Sequence, residues 1–430
     1  MTHTGAHFAV VAPAFHSHFN ALAALALALI ERGHRVTFVH RPDAAAFVTD
    51  SRIGFHAVGA ASHPPGSLQA ALRRAANPGG PLGLRRVIID MADSTAMLCR
   101  ELPAALASLH VDAVIADQME AAGALAAEAA GLPFVSVACA LPVNREPGLP
   151  LPVMPFPWGD DERALKMAEG STRVYDWCMA PHRRVIESES RRLGIPVRGM
   201  LHECLSPLAQ ISQTTVSFDF PRRRLPRHFH HVGPLRHATI HAQTALPLVD
   251  PGRPFVFASL GTMQGGRFGL FRRIASACRQ LDVQLLVAHC GGLTPRQADD
   301  VRRAGATWIC AFAPQQAALA RADAVVTHAG LNTVLDAIAA RTPMLALPIA
   351  FDQPGAAARI VHAGVGLRAS ARFAGAGKLA SHLRQLLDGA AFAPRLAALA
   401  DDVINAGGAP RAADIVEAAV KVRSGARAMA

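Results

Sequence analysis

The chain has 430 residues, 51% of them hydrophobic, and a positive mean hydropathy, so a large core can form and disorder does not dominate; the length suggests two domains at ~100–200 residues each. The formal net charge of +11 and pI near 10.3 come almost wholly from arginine, in scattered positions or short clusters such as PRRRLPR (221–227) with no interleaved aromatics, which disfavours nucleic acid and leaves an anionic membrane surface or a phosphate-bearing ligand. Seven cysteines stand singly with no C-x-x-C, which disfavours a disulfide framework and fits a reducing, cytoplasmic setting.

The N-terminal MTHTGAHFAVVAPAF lacks the basic start of a signal peptide. ALAALALALI (21–30) is apolar but is stopped by Glu31 and Arg32, far short of the ~20 residues that span a bilayer. Membrane contact is therefore expected to be peripheral at most. HFAVVAPAF (7–15) reads as a buried parallel strand, 20–34 as a helix closed by Gly33, and RVTFVH (35–40) as the next strand. Strand, helix and strand recur over VDAVIAD (111–117), 120–130 and LPFVSVA (132–138). The Pro-rich stretch 141–160, with Met154, Phe156 and Trp158, breaks the pattern; it reads equally as a wall for an apolar ligand or as a loop packed on its own domain. HFHH (228–231) fits no common zinc spacing.

The alternation restarts at RPFVFASLGT (253–262) and continues through strands at 283–290, 307–313, 323–330 and 343–350. No G-x-G-x-x-G follows a strand, and GAGK (375–378) lacks the frame of a phosphate loop. The fold class is thus α/β, with two Rossmann-like doubly wound domains facing a cleft. They are expected over 1–235 and 253–405, with a linker at 236–252, a C-terminal helix over 406–425 and a disordered tail at 426–430.

THAGLNTVLDAIAARTPMLALPIAFDQP (327–354) concentrates the chemistry. Ala329 and Gly330 make a turn without bulk, and a helix begins near Leu331. Its first N–H groups lack internal partners and carry the positive end of the helix dipole, a ready anion site. His328, Asn332 and Thr333 add donors there; Asp336, one turn on, would repel phosphate but suits vicinal hydroxyls such as a ribose. Asp352 and Gln353 leave the neighbouring strand able to meet another polyhydroxyl. Phosphate, ribose and sugar groups in one line describe a nucleotide sugar. The plainer reading makes Asn332 and Thr333 helix caps and His328 a satisfied turn histidine.

FAPQQAALARADAVVTHAGLNTVLDAIAARTPMLALPIAFDQP (312–354) resembles the donor-binding signature of the UDP-glycosyltransferases of GT-B fold. The resemblance implies that Phe312 stacks on the uracil, with Ala313 beside it and Gln315 reaching the uridine. It puts His328, Gly330, Asn332 and Thr333 at the diphosphate, Asp336 at the ribose, and Asp352 and Gln353 at the glucose. SLGT (259–262) looks like the family's glycine turn, making Gly261 and Thr262 phosphate-touching candidates. PAFHSHFNAL (13–22) resembles the family's Pro-rich turn ending in Gly-His, with Ser17 replacing Gly. His18 then falls at the catalytic base and Asp117 at its orienting carboxylate; His16 is the rival base. Phe15, Met154, Phe156 and Trp158 are candidates for an acceptor pocket.

Stretches that donor binding does not require, among them 117–156, SPLAQISQ (206–213) and 337–361, are similar to the bacterial zeaxanthin glucosyltransferases of carotenoid biosynthesis. That resemblance covers essentially the whole chain. It implies an inverting transfer of glucose from UDP-glucose to the hydroxyl groups of zeaxanthin, giving the mono- and diglucoside. The partners implied are a UDP-sugar donor, an apolar carotenoid acceptor and an anionic membrane surface, with no nucleic acid. UDP-glucose is a co-substrate; no metal is implied, since no Asp-x-Asp occurs, and no cofactor. Another apolar alcohol (a sterol, macrolide or lipid precursor) is the near alternative as acceptor. A GT-B sugar-nucleotide epimerase or hydrolase, and a non-catalytic lipid or pigment carrier, are the rival classes; the His18–Asp117 pair and the intact donor signature stand against them.

Overall fold

The computed structural model describes residues 5–237 and 246–428. Two parallel sheets carry the chain. The first has seven strands in the order β3-β2-β1-β4-β5-β6-β7: β1 (His7–Val11), β2 (Arg35–His40), β3 (Gly54–Ala57), β4 (Ala113–Asp117), β5 (Phe134–Ala138), β6 (Gln210–Ser212) and β7 (Phe229–His231). The second has six in the order β10-β9-β8-β11-β12-β13: β8 (Phe255–Ser259), β9 (Gln284–Ala288), β10 (Trp308–Cys310), β11 (Ala324–Thr327), β12 (Met344–Ala346) and β13 (Gly366–Arg368). The central strands β1, β4, β5, β8, β9 and β11 are buried along their whole length. Helices cover both faces, so these strands read as unbroken apolar runs rather than alternating ones. The expected architecture therefore holds: two doubly wound sheets whose carboxyl edges meet at a cleft.

Three local differences matter. The first strand stops at Val11 and the next helix already starts at His16, four residues earlier than the apolar run suggests, and ends at Ile30. Pro13 and an extended Phe15 make the turn, with Phe15 N donating to Pro13 O at 2.7 Å. Polar His16 and Ser17 hide this first turn from hydrophobic periodicity. Second, the expected C-terminal helix is longer than 406–425. It runs Gly408–Ala428, through most of the stretch expected as a tail; residues 429–430 lie outside the described residues. Its Ala409, Ala412, Ala413 and Val416 join the core of the first domain beside Leu22 and Ala26. Arg32 donates to Asp414 at 2.7 Å and Glu417 at 2.8 Å. Much of the expected linker, 238–245, also lies outside the described residues.

Third, the 141–160 stretch has no helix or strand and bridges the two domains: Val143 N donates to Gln118 Oε1 at 3.1 Å and Asn144 Nδ2 to Gln210 Oε1 at 2.7 Å in the first domain, while its later part crosses to the second. That later part lies on the helix Gln353–His362 of the second domain. A Cβ added at Gly355 would stand 2.0 Å from Pro152 O, so only glycine lets the two backbones approach. Arg368 Nη1 donates to Pro155 O at 2.6 Å, and the rings of Trp158 and His362 lie 5.9 Å apart. Beneath this strap Arg359, fully buried, donates from Nε to Asp219 of the first domain at 2.6 Å, and Asp219 also accepts from Arg222 at 2.6 Å. Burial alone would raise the Asp219 carboxyl, but the two guanidiniums hold it near about 2.

Candidate active site

The early start of the His16–Ile30 helix decides between the two histidines. His16 and His18 occupy the first and third helical positions, roughly 200° apart around the axis. His16 turns to Phe47, ring centroids 5.4 Å apart. His18 turns inward, and its Nδ1 lies 2.7 Å from Asp117 Oδ2 at the end of β4. The other Asp117 oxygen accepts from Met119 N at 2.8 Å, which fixes the carboxylate. Burial pushes the imidazole pKa down, but the Asp117 charge and hydrogen bond, with Asp352 adding to them, outweigh it and raise it. Nδ1–H donates to Asp117, leaving Nε2 to accept a proton.

Cys139 joins this pair; one ligand atom each from His18, Asp117 and Cys139 falls within 4.8 Å of the others. Burial pushes the thiol pKa up strongly, and the Asp117 charge adds to it. The sulfur is a protonated thiol beside a carboxylate.

Across the cleft, the helix Leu331–Ala339 starts at Gly330 without a side-chain cap. Asn332 and Thr333 are thus not caps, and among the described residues no side chain meets the first amides. His328 stands behind them. A Cβ at Gly330 would lie 2.6 Å from its Nε2, and one at Gly261 2.7 Å from its Cε1, so two glycines clasp the ring. Gly261 also has φ +73°, the left-handed region that favours glycine. Burial lowers the His328 pKa to about 4, and its Nδ1 is buried without a partner. It is a neutral imidazole rather than a satisfied turn histidine. Thr262 is exposed in the first turn of the short helix Gly261–Gln264.

The remaining donor-side residues are held by hydrogen bonds, some to one another and some to other parts of the chain. Gln315 Nε2 donates to Asp336 Oδ2 at 2.7 Å and Thr333 Oγ1 donates to Gln315 Oε1 at 3.2 Å. Asn332 Nδ2 reaches across to Ser17 O at 3.2 Å, while its Oδ1 accepts from Gln213 Nε2 at 3.1 Å. Asp352 accepts from Leu141 N at 3.3 Å, and burial raises its pKa. Gln353 differs from expectation: its Oε1 accepts from Ile349 N at 2.9 Å and Ala350 N at 2.8 Å, so only its amide nitrogen is left to meet a sugar. Phe312, 58% exposed, rims an apolar depression of about 260 Å³ with Trp308, Ala313, Pro314, Leu246 and Pro247, a shape suited to a flat base.

Of the acceptor candidates, Phe15 lies at the base, its ring centroid 5.8 Å from His18 and 5.6 Å from Phe351. Trp158 does not line the His18 side. It joins Leu149, Phe220 and Ala358 between the domains, because Gly355 and the alanines after it leave room for the apolar loop. Met154 and Phe156 are half-buried in the same segment. Sequence reasoning gave no role to Gln213, Arg236, or the Asp219–Arg359 pair. Gln213 is a buried polar residue just past the carboxyl end of the strand Gln210–Ser212, the kind of position where ligands meet open sheets; the others have no local signal.

Comparison with known proteins gives the chain's relatives. Residues 179–401 match the family described as UDP-glucoronosyl and UDP-glucosyl transferase. The zeaxanthin glucosyltransferase of Pantoea ananas is 52% identical over 413 residues, covering 96% of this chain and 95% of the relative. That of Pseudescherichia vulneris is 49% identical, covering 96% and 98%. The crystal structure of the glycotransferase of kitacinnamycin superposes with a TM-score of 0.75 at 20% identity, over 97% of this chain and 99% of that one, a likeness of fold.

Proposed function

We infer, for a chain that belongs to the UDP-glucoronosyl and UDP-glucosyl transferase family, that it moves glucose from UDP-glucose to the ring hydroxyls of zeaxanthin, first to one end and then to the other. The observation that carries this is the His18–Asp117 pair, 2.7 Å apart, in a chain half identical to two zeaxanthin glucosyltransferases along nearly its whole length.

The acceptor hydroxyl gives its proton to His18 Nε2. Its oxygen attacks the anomeric carbon as the bond from that carbon to the diphosphate breaks, and the configuration inverts. Asp117 stabilises the imidazolium that forms. UDP leaves toward the free amides at Leu331–Thr333 and the His328 ring, fixed donors that need no rearrangement as charge develops. Asp352 and the Gln353 amide nitrogen hold the sugar; Asp336 and Gln315 hold the ribose; Phe312 stacks on the base. The step uses only UDP-glucose as co-substrate, with no metal or cofactor.

The acceptor is a membrane-soluble pigment, so the enzyme meets it at a lipid surface. No helix among the described residues is long and apolar enough to cross a membrane. Exposed Leu82, Val174 and Trp177, on helices whose inner sides share the Ile88–Met179 cluster, offer apolar side chains for peripheral docking, with Arg85 and Arg86 one turn on from Leu82. Flotation with anionic liposomes at low salt tests this; protein left at the bottom of the gradient removes the docking part.

Purified protein, UDP-glucose and zeaxanthin in detergent micelles provide the main test. UDP release that depends on the pigment, with pigment mass rising by one and then two hexoses, is the expected result. UDP release without glucosylated pigment would sink the acceptor assignment and leave the donor site standing.

A further inference from the structure

A carboxylate beside a diphosphate site poses a charge problem. Asp336, its side chain 7% exposed, lies on the same helix as the amides that meet the diphosphate. His328 is neutral, with its pKa lowered to about 4 by burial, and Asn332, Thr333 and Thr262 carry no charge. Left alone, ionised Asp336 would oppose the dianionic diphosphate and, more strongly, the departing UDP.

Arg236 answers it. Nε donates to Asp336 Oδ1 at 2.9 Å and Nη2 to Asn332 O at 3.0 Å. Nη1 donates to Leu235 O at 2.8 Å, with longer bonds to Gln213 Oε1 at 3.2 Å and Asn332 Oδ1 at 3.4 Å. Its side chain is 21% exposed, half-sheltered at the cleft. Among the described residues bonded into the Gln315–Thr333–Asp336 network, it is the one permanent cation. It stands where the first domain passes into the linker: Leu235 is in that domain's core, and Leu235 N donates to Gln213 Oε1 at 2.9 Å. The Nη partners are all neutral oxygens, and exchanging one for an ionised phosphate oxygen is favourable.

We propose that Arg236 is a donor-binding residue: its guanidinium neutralises Asp336 and presents to the diphosphate the permanent positive charge that the rest of the site lacks. The proposal rests on the donor reading above. It makes donor affinity depend on the junction of the first domain with the linker, through a residue that lies outside the 312–354 signature. Nε stays on Asp336 while the Nη groups exchange neutral oxygens for phosphate oxygens within the same guanidinium plane. Lysine can supply the charge there but not both contacts at once.

Calorimetric titration of the full chain with UDP and with uridine tests it, in the wild type, Arg236→Gln, Arg236→Lys and the double variant Arg236→Gln/Asp336→Asn, each checked for an unchanged thermal midpoint. Arg236→Gln should weaken UDP roughly ten- to hundredfold, and uridine, which has no phosphate, by less than about threefold. Arg236→Lys should recover part of the loss. Because Asp336 also meets the ribose, the double variant is read through the ratio of UDP to uridine affinity, which should recover part of the loss seen in Arg236→Gln alone, the uncompensated carboxylate being gone. Equal weakening of UDP and uridine would make Arg236 a merely structural residue and overturn the proposal. Unchanged or tighter UDP binding in Arg236→Gln would overturn it too. If the wild type binds neither ligand, the donor reading itself falls, a result distinct from these.

Discussion

Two sheltered histidines stand on opposite sides of the cleft in opposite electrostatic settings. His18 in the first domain has a carboxylate at 2.7 Å, and its pKa is raised. His328 in the second has two glycines against its ring and no partner on Nδ1, and its pKa falls to about 4. Burial disfavours the imidazolium in both; only the first has a charge that overrides it. One residue type thus serves as a proton acceptor on one side and, at neutral pH, an uncharged donor on the other. The neighbours decide which, not the histidine.

The largest break in this comparison is His18→Ala. It should lower kcat by roughly 10²–10⁴-fold and leave UDP affinity within about twofold. A collapse of both in steady-state kinetics and calorimetry would mean that the two sides are not separate machines. Asp117→Asn should cost about 10²-fold in kcat and also move the pH profile. His18 acts when neutral, so activity rises with pH through a pKa above the ordinary histidine value of 6.5. Without the Asp117 charge that opposes burial, the acid limb of kcat/KM should shift to lower pH; an unmoved limb would assign it to another group.

On the other side, Gly330→Ala puts a methyl where His328 Nε2 lies 2.6 Å away. It should weaken UDP by about 1–3 kcal/mol, the usual scale of overpacking, with no change in the acid limb. The smallest effect is on stability. The folded pKa of His328 is about 4 and the unfolded one 6.5, so as pH falls between them the unfolded chain binds the proton first and stability drops. That contribution is at most about 1.4 kcal/mol per pH unit. In urea unfolding at pH 7 and pH 5, His328→Gln should therefore lose less stability than the wild type does. An equal loss in both would show that His328 is protonated in the folded protein.

The same contrast explains what could be read from the sequence. The second-domain site comes from one continuous segment, 312–354, whose turn, helix start and strand end carry chemistry at fixed spacing, so Phe312, His328, Asn332, Asp336 and Asp352 were all visible there. The first-domain site joins residues 99 positions apart. Its base and carboxylate emerge from apolar strands and a family resemblance, while the helix start that separates His16 from His18 is masked by polar residues. Gln213, Arg236, Asp219 and Arg359 are set by contacts between domains, which leave no periodic trace. The 141–160 loop showed its apolar character in sequence but not its partner, because the receptive surface, Gly355 and Ala356–Ala358, lies two hundred residues on. Trp158 went to that surface and not to a pocket over His18.

The central claim is a single in-line displacement driven by proton transfer to His18. The anomeric configuration of the transferred glucose tests it most directly, read by nuclear magnetic resonance of the purified pigment glucoside. UDP-glucose carries an α-linked diphosphate, so one displacement gives a β-glucoside, which is the predicted result. An α-glucoside would require a second displacement or attack from the leaving-group face and would contradict the account.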